Sequence, residues 1–158
     1  ESDGMRGDTS LAERFSAVLE LQRKGLVQHI GLSNVTARQI AEARALGEIV
    51  CVQNMYNVAQ RHDDAMIAEL AKHNVAFVPF FPLGGFSPLQ SSELDEAASS
   101  LGATPMQLAL AWLLHHAPNI LLIPGTSSVA HLRENIAAAD LKIPRDVKAK
   151  LDGIGATA

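Results

Sequence analysis

The sequence predicts a parallel α/β fold, on three observations. Four short apolar, strand-like segments recur along the chain. Each is followed by a polar turn and then by a stretch with helical apolar spacing, the signature of βαβ units whose strands run parallel. The composition, 47% hydrophobic and 19% charged, supplies enough apolar side chains for a packed core and excludes an intrinsically disordered chain. At 158 residues the chain has room for one domain.

The elements follow in order. Thr9 to Lys24 carries Leu11, Phe15, Val18, Leu19 and Leu21 near helical spacing, with Thr9 or Ser10 as N-cap and Gly25 as the stop. Leu26 to Leu32 reads as the first strand, broken by Ser33-Asn34. Thr36-Ala-Arg-Gln39 is a capping box that opens a helix to about Leu46. Ile49 to Asn54 is the second strand, and a helix runs from about Asp63 to His73. Val75 to Phe81 is the third strand, and a Ser- and Gly-rich loop, Gly84 to Ser92, leads to a helix at about Glu93 to Leu101. Thr104-Pro-Met-Gln107 sets an N-cap, a first-turn proline and a capping-box Gln in sequence. The helix it opens is expected to bury Met106, Leu110, Leu113 and Leu114, with Trp112 on its flank. Asn119 to Pro124 is the fourth strand, Ser127 or Ser128 caps a helix to Ala139, and Pro144 opens a last short one.

Charge and composition narrow the function. A formal net charge of −4 argues against a general nucleic-acid or anionic-membrane binder. The single cysteine, Cys51, excludes an internal disulfide and a Cys-based metal site. No apolar run approaches the ~20 residues of a membrane span, and Glu1 to Ser10 has no targeting pattern, so the expected address is cytoplasmic. Because the chain opens on Glu1 and not Met, it is expected to be processed or a piece of something longer.

In parallel α/β folds, doubly wound or barrel, ligands sit where loops leave the carboxyl ends of the strands. The candidates there are Ser33-Asn34, Gln53-Asn54, Phe80 to Gly85, and Pro124 to Ser128. Ser33 and Asn34 can hydrogen-bond a ligand amide or simply form a turn. Gln53 closes an apolar strand and needs partners, from ligand or protein. Phe80 and Phe81 can stack on a planar ring or pack in the core. Gly84-Gly85 allows close backbone approach but forms no G-x-G-x-x-G fingerprint. Gly125-Thr-Ser-Ser128 places amides and three hydroxyls at a helix start, a natural phosphate cradle, and N-capping accounts for one of those hydroxyls. The histidines show no metal-ligand spacing. Nothing at the strand ends makes a Ser-His-Asp or Cys-His arrangement, which argues against a hydrolase.

Five stretches, taken together, resemble the aldo-keto reductase family: Val27 to Asn34, Val52 to Asn57, Phe80 to Gly85, Thr104 to Trp112, and Ile123 to Asn135. The resemblance runs over essentially the whole chain after Thr9. It implies a (β/α) barrel of the TIM type, of which this chain is about half, strands five to eight, as a single partial domain over residues 1–158. It implies NADP(H), with NAD(H) second, and reduction of carbonyls or oxidation of alcohols in the complete enzyme. By this resemblance Ser33, Asn34 and Gln53 hold the nicotinamide carboxamide, and Phe80 takes the place of the aromatic residue, usually a Tyr, that stacks on the ring. Phe81 and Pro82 belong to the same cofactor stretch, and Leu83, Gly84 and Gly85 lie along the pyrophosphate. Gly125, Thr126, Ser127 and His131 belong to the 2′-phosphate site, with Glu134 and Asn135 near the adenine.

Two departures weaken the preference for NADP. Gly125 stands where many members carry a Lys, and His131 where many carry an Arg. A larger departure is that the family's catalytic Asp, Tyr, Lys and His lie in the first half of the barrel and have no counterpart here. The sole tyrosine, Tyr56, has no evident Lys partner and makes a poor substitute acid. The isolated chain is therefore expected to be inactive and to pair with a missing amino-terminal half or with itself. The rival expectations are a non-catalytic nicotinamide-nucleotide-binding or regulatory module, and a truncated structural fragment.

Overall fold

Among the residues that the computed structural model describes (7, 9–84 and 91–154), the first element is helix α1 (Ala12–Arg23). Its N-cap position falls on Leu11, one residue beyond the expected Thr9 or Ser10. The cap comes from elsewhere in the chain. Glu42 accepts from the Leu11 N–H at 2.8 Å, and the Ser10 hydroxyl accepts from the Ala12 N–H at 3.1 Å. The carboxylate also suits the positive end of the helix. α1 stops as expected at Gly25, whose φ of +73° lets Gly25 N–H reach the Gln22 carbonyl (2.9 Å) and Leu26 N–H reach that of Leu21 (3.0 Å).

That exit consumes residues expected to be strand. Leu26 is 73% exposed, and strand β1 covers only Gly31–Ser33. Helix α2 (Ala37–Leu46) follows, its Thr36/Gln39 capping box formed in both directions. Strand β2 (Cys51–Met55), helix α3 (Asp64–Lys72) and strand β3 (Ala76–Phe80) come next. Helix α4 (Ser92–Ser100) is capped by Ser91, and α5 (Pro105–His116) by the expected Thr104/Gln107 box. Helix α6 (Val129–Ala137) is capped by Ser128, and α7 (Arg145–Ile154) begins immediately after Pro144.

The sheet runs β1-β2-β3, all parallel. The register sets Gly31 beside Cys51, and Ser33 beside Gln53 and then Val78. A Cβ on Gly31 would lie 2.5 Å from the Cys51 sulfur and 3.2 Å from the Cys51 carbonyl oxygen, so only glycine fits this contact.

The expected fourth strand is reduced to one parallel bridge, Phe77 to Ile120. Its two bonds run from Phe77 N–H to the Asn119 carbonyl (2.8 Å) and from Leu121 N–H to the Phe77 carbonyl (2.9 Å). The next rung would need a donor from Pro79, which has none. Residues 76 and 80 of β3 bond to the β2 side, so 77 and 79 face the edge, and the proline ends the ladder there.

The helices bury one face of the sheet. Val52, Asn54 and Tyr56 are 0% exposed, whereas the alternating Cys51, Gln53 and Met55 stay partly exposed. α5 also departs from expectation. Met106 and Leu114 are exposed, and Leu108 through Leu113, Trp112 included, are all buried. A single apolar stripe does not describe α5, because its middle is enclosed by α4, by α6 and by the short helical turn Ala138–Asp140 that follows α6, and Trp112 stacks on Tyr56.

Candidate functional site

Parallel pairing sends every strand's carboxyl end to the same edge of the sheet. In-register residues project from the same face, so Ser33 and Gln53 stand side by side on the face the helices leave open. Phe80, in register with Met55, lies on that face further along. β1 ends in Asn34 at φ +55°, whose N–H donates to the Gln53 carbonyl at 2.8 Å. β3 ends in the same way, with Phe81 at φ +55° and a turn closed by Gly84 N–H onto the Phe81 carbonyl at 3.0 Å. The Phe80 and Phe81 rings meet edge-on, centroids 5.3 Å apart. Pro82 is buried and Leu83 packs against the core, which anchors this loop. Gly85 lies outside the described residues.

The segment after the Ile120 bridge leaves from the same edge. Gly125, Thr126 and Ser127 are exposed in front of α6. Ser128 caps the helix, accepting from His131 N–H at 3.4 Å, and the Thr126 hydroxyl accepts from Ser128 N–H at 3.1 Å. Local bonding therefore engages two of the three hydroxyls rather than one. Thr126 keeps its O–H to donate, and Ser127 stands exposed beside the first turn of α6. His131 is exposed on the first turn. Asn135 donates to the Pro124 carbonyl at 3.4 Å and ties α6 to its own loop. The Glu134 carbonyl accepts from Gln107 of α5 at 3.4 Å.

The covered face carries a polar network built on Asn54, a strand-end candidate in the sequence that is fully buried here and bonded to protein, away from the open face. Asn54 donates to the Val35 carbonyl and to Asp63, both at 2.9 Å, and accepts from Val35 N–H at 3.0 Å. Its signal was parity, since an Asn two residues from Val52 on an apolar strand has to be satisfied in the core.

Beside it, the Tyr56 hydroxyl donates to Asp64 and lies 2.9 Å from His116 Nε2. Arg61 pairs with Asp64 at 2.6 Å and stands over the Trp112 ring at 5.3 Å. Trp112 Nε1 donates to Asp152 at 2.8 Å. Burial, and then the Asp64 carboxylate, push the Tyr56 phenol far above its ordinary range. Tyr56 thus faces away from the open face, with its proton committed to Asp64, and cannot serve there as an acid.

Two shallow hollows lie at the opposite end of the strands, one beside Asn74 and Asn119, the other beside Arg44 and His73. Neither touches the strand-end residues. Among the described residues no three His, Cys, Asp or Glu side chains are grouped to hold a metal ion, and no helix is long and apolar enough to cross a membrane.

The sequence profile of the Aldo/keto reductase family matches residues 3–156. The chain is 65% identical over 145 residues to pyridoxine 4-dehydrogenase of Escherichia coli strain K12, across 92% of this chain and 51% of that protein. Among solved structures, a thermostable aldo-keto reductase in complex with the inhibitor epalrestat matches at a TM-score of 0.84 and 35% identity, over 95% of this chain and 57% of that one. An aldo-keto reductase from Klebsiella pneumoniae in complex with NADPH matches at a TM-score of 0.81 and 26% identity, over 95% of this chain and 56% of that one. The chain spans about half the length of the curated relatives it matches.

Proposed function

The chain belongs to the aldo/keto reductase family, and we propose that residues 1–158 are one partial domain, strands five to eight of a (β/α) barrel, carrying most of the nicotinamide-nucleotide site of an NADP(H)-dependent oxidoreductase. The observation that carries this is the register that puts Ser33, Gln53 and Phe80 on one open face, at the edge from which the Gly125–Ser128 loop also leaves. When bound, the cofactor supplies the hydride. Ser33, Asn34 and Gln53 would hold its carboxamide and Phe80 would cover one face of its ring. The backbone from Leu83 through Gly85 would follow the pyrophosphate. Thr126, Ser127 and the α6 amides would take the 2′-phosphate with His131, and Glu134 and Asn135 would border the adenine. The donor set of hydroxyls, amides and one imidazole suits a phosphate but lacks a fixed cation, so NADP(H) is preferred over NAD(H) by a narrow margin.

The substrate would be an alcohol–carbonyl pair in the complete protein. The 65% identity makes the 4-hydroxymethyl group of pyridoxine and its aldehyde the first pair to test. Hydride delivery to a carbonyl needs a proton donor at the developing alkoxide. Tyr56 is spent on Asp64, so that donor would come from a part of the barrel outside this chain. Val129, Leu132 and Ile136 form an exposed apolar row on α6, 65%, 49% and 64% exposed, and Leu121 and Ile123 are exposed as well. This row supports pairing with the remainder of the barrel, since such a patch on a lone domain is unfavourable.

Fluorescence titration with NADPH, together with an assay of pyridoxal and 4-nitrobenzaldehyde reduction, tests the reading. Saturable binding without turnover is expected. Turnover by this chain alone would overturn the missing-donor argument, and absence of binding would overturn the cofactor assignment.

A further inference from the structure

β1 and β3 end in the same unusual backbone conformation, built from very different residues. Asn34 and Phe81 both sit at φ +55°. Asparagine tolerates the left-handed region, whereas a bulky aromatic does so only when its surroundings hold it there. The Phe81 carbonyl shows what does the holding. It accepts from Gly84 N–H at 3.0 Å and from Asn57 Nδ2 at 3.2 Å.

Asn57 is itself fixed. It is 2% exposed, its Oδ1 accepts from Ala59 N–H and Gln60 N–H at 3.0 Å each, and its backbone pairs with Gln60 in both directions. One residue earlier, Tyr56 N–H reaches the Phe80 carbonyl at 3.4 Å. The turn after β2 is therefore a rigid base from which one carboxamide N–H reaches across to the loop after β3.

We propose that Asn57 is a positioning residue of the cofactor loop: its carboxamide holds Phe81 left-handed, so that the Phe80 ring and the Pro82–Gly84 backbone present a fixed surface to the nicotinamide dinucleotide. The inference rests on the reading above that this loop meets the cofactor. If Phe81 relaxed to a right-handed or extended backbone, its carbonyl would swing away from both donors and the turn to Gly84 would open. The ring of Phe80, packed edge-on against Phe81, would lose its support.

Asn57→Asp separates the two duties of the side chain. It keeps an oxygen for the Ala59 and Gln60 amides and removes the N–H that reaches Phe81. Phe81→Gly supplies a residue that adopts φ +55° without help and, because it also removes the ring that supports Phe80, sets its own lower NADPH affinity as the baseline for the comparison. In the unsubstituted chain the Gly84, Ala59 and Gln60 amides are expected to be protected from hydrogen exchange.

Asn57→Asp is expected to speed exchange at Gly84 and raise the NADPH dissociation constant, each by about tenfold, the size of one lost hydrogen bond. Ala59 and Gln60 should stay protected. In a Phe81→Gly background the same substitution should change NADPH affinity less than twofold. Unchanged Gly84 exchange, or an equal affinity loss in both backgrounds, overturns the proposal and leaves Asn57 a turn residue only. If the unsubstituted chain does not bind NADPH, the cofactor reading falls and takes the cofactor role of Asn57 with it. Gly84 exchange then decides whether Asn57 holds Phe81 at all.

Discussion

Strand β2 presents two faces that differ in almost every physical respect. On one, Val52, Asn54 and Tyr56 are sealed beneath the helices, and the polar groups of Asn54 and Tyr56 are bonded to protein. On the other, Cys51, Gln53 and Met55 stay partly exposed, with Ser33 and Phe80 beside them. The difference shows a division of labour set by the two-residue period of a strand. The sealed face supplies stability, and the open face keeps its side chains accessible.

Trp112→Ala tests that division most severely. The ring is fully buried, stacks on Tyr56, lies under Arg61 and donates to Asp152. Its removal is expected to cost roughly 3–5 kcal/mol in urea unfolding. A loss under 1 kcal/mol would mean that the sealed face is not what holds the fold.

A smaller effect is expected from pH. Burial lowers the His116 pKa below its ordinary 6.5, against the pull of Asp64. The unfolded chain then binds the extra proton first, so stability should fall as pH drops below 6.5. Asp64 adds to this at lower pH. Its burial is outweighed by the Tyr56 and Arg61 hydrogen bonds, which hold it below its ordinary 3.8, and its contribution is lost as pH falls through that lowered value. The raised Tyr56 pKa acts at the other end. Above its ordinary 10.0 the unfolded chain loses a proton that the folded one retains, and stability falls as pH rises. Denaturation midpoints across this range should form a plateau between the two limbs. His116→Gln should flatten the upper acid limb and Tyr56→Phe the alkaline one, and limbs unchanged by both substitutions would refute the assignment.

The smallest stability effect belongs to the open face. Ser33→Ala, at an exposed position, and Gln53→Ala, at a partly exposed one, are each expected to shift unfolding by less than about 0.5 kcal/mol, while weakening NADPH binding. A large loss of stability at Gln53 would erase the contrast between the faces.

Much of this was legible in the chain. The Thr36/Gln39 and Thr104/Gln107 boxes and the Gly25 stop formed as read, because each signal acts within four residues of itself. β2 runs two residues past Gln53, to Met55, but the strand-end positions of Ser33 and Phe80 followed from the alternation of elements. The start of α1 did not, because its cap is Glu42 of α2. Nor did the environment of α5, where Trp112, expected on the flank, is the largest fully buried side chain among the described residues.

The sequence by itself determined the order of the helices and of the three strands between them, and therefore which loops share the carboxyl edge of a parallel sheet. Only the tertiary structure decided which face of β2 is sealed, since parity alone does not say on which side helices will pack. It also decided that Pro79 would point its missing donor at the edge and stop the ladder beyond Phe77. And it brought Asn57 across to Phe81, a contact between residues 24 positions apart that no local pattern encodes. Local signals travel along the backbone, whereas burial, pairing and strain are settled by whatever the folded chain places next to them.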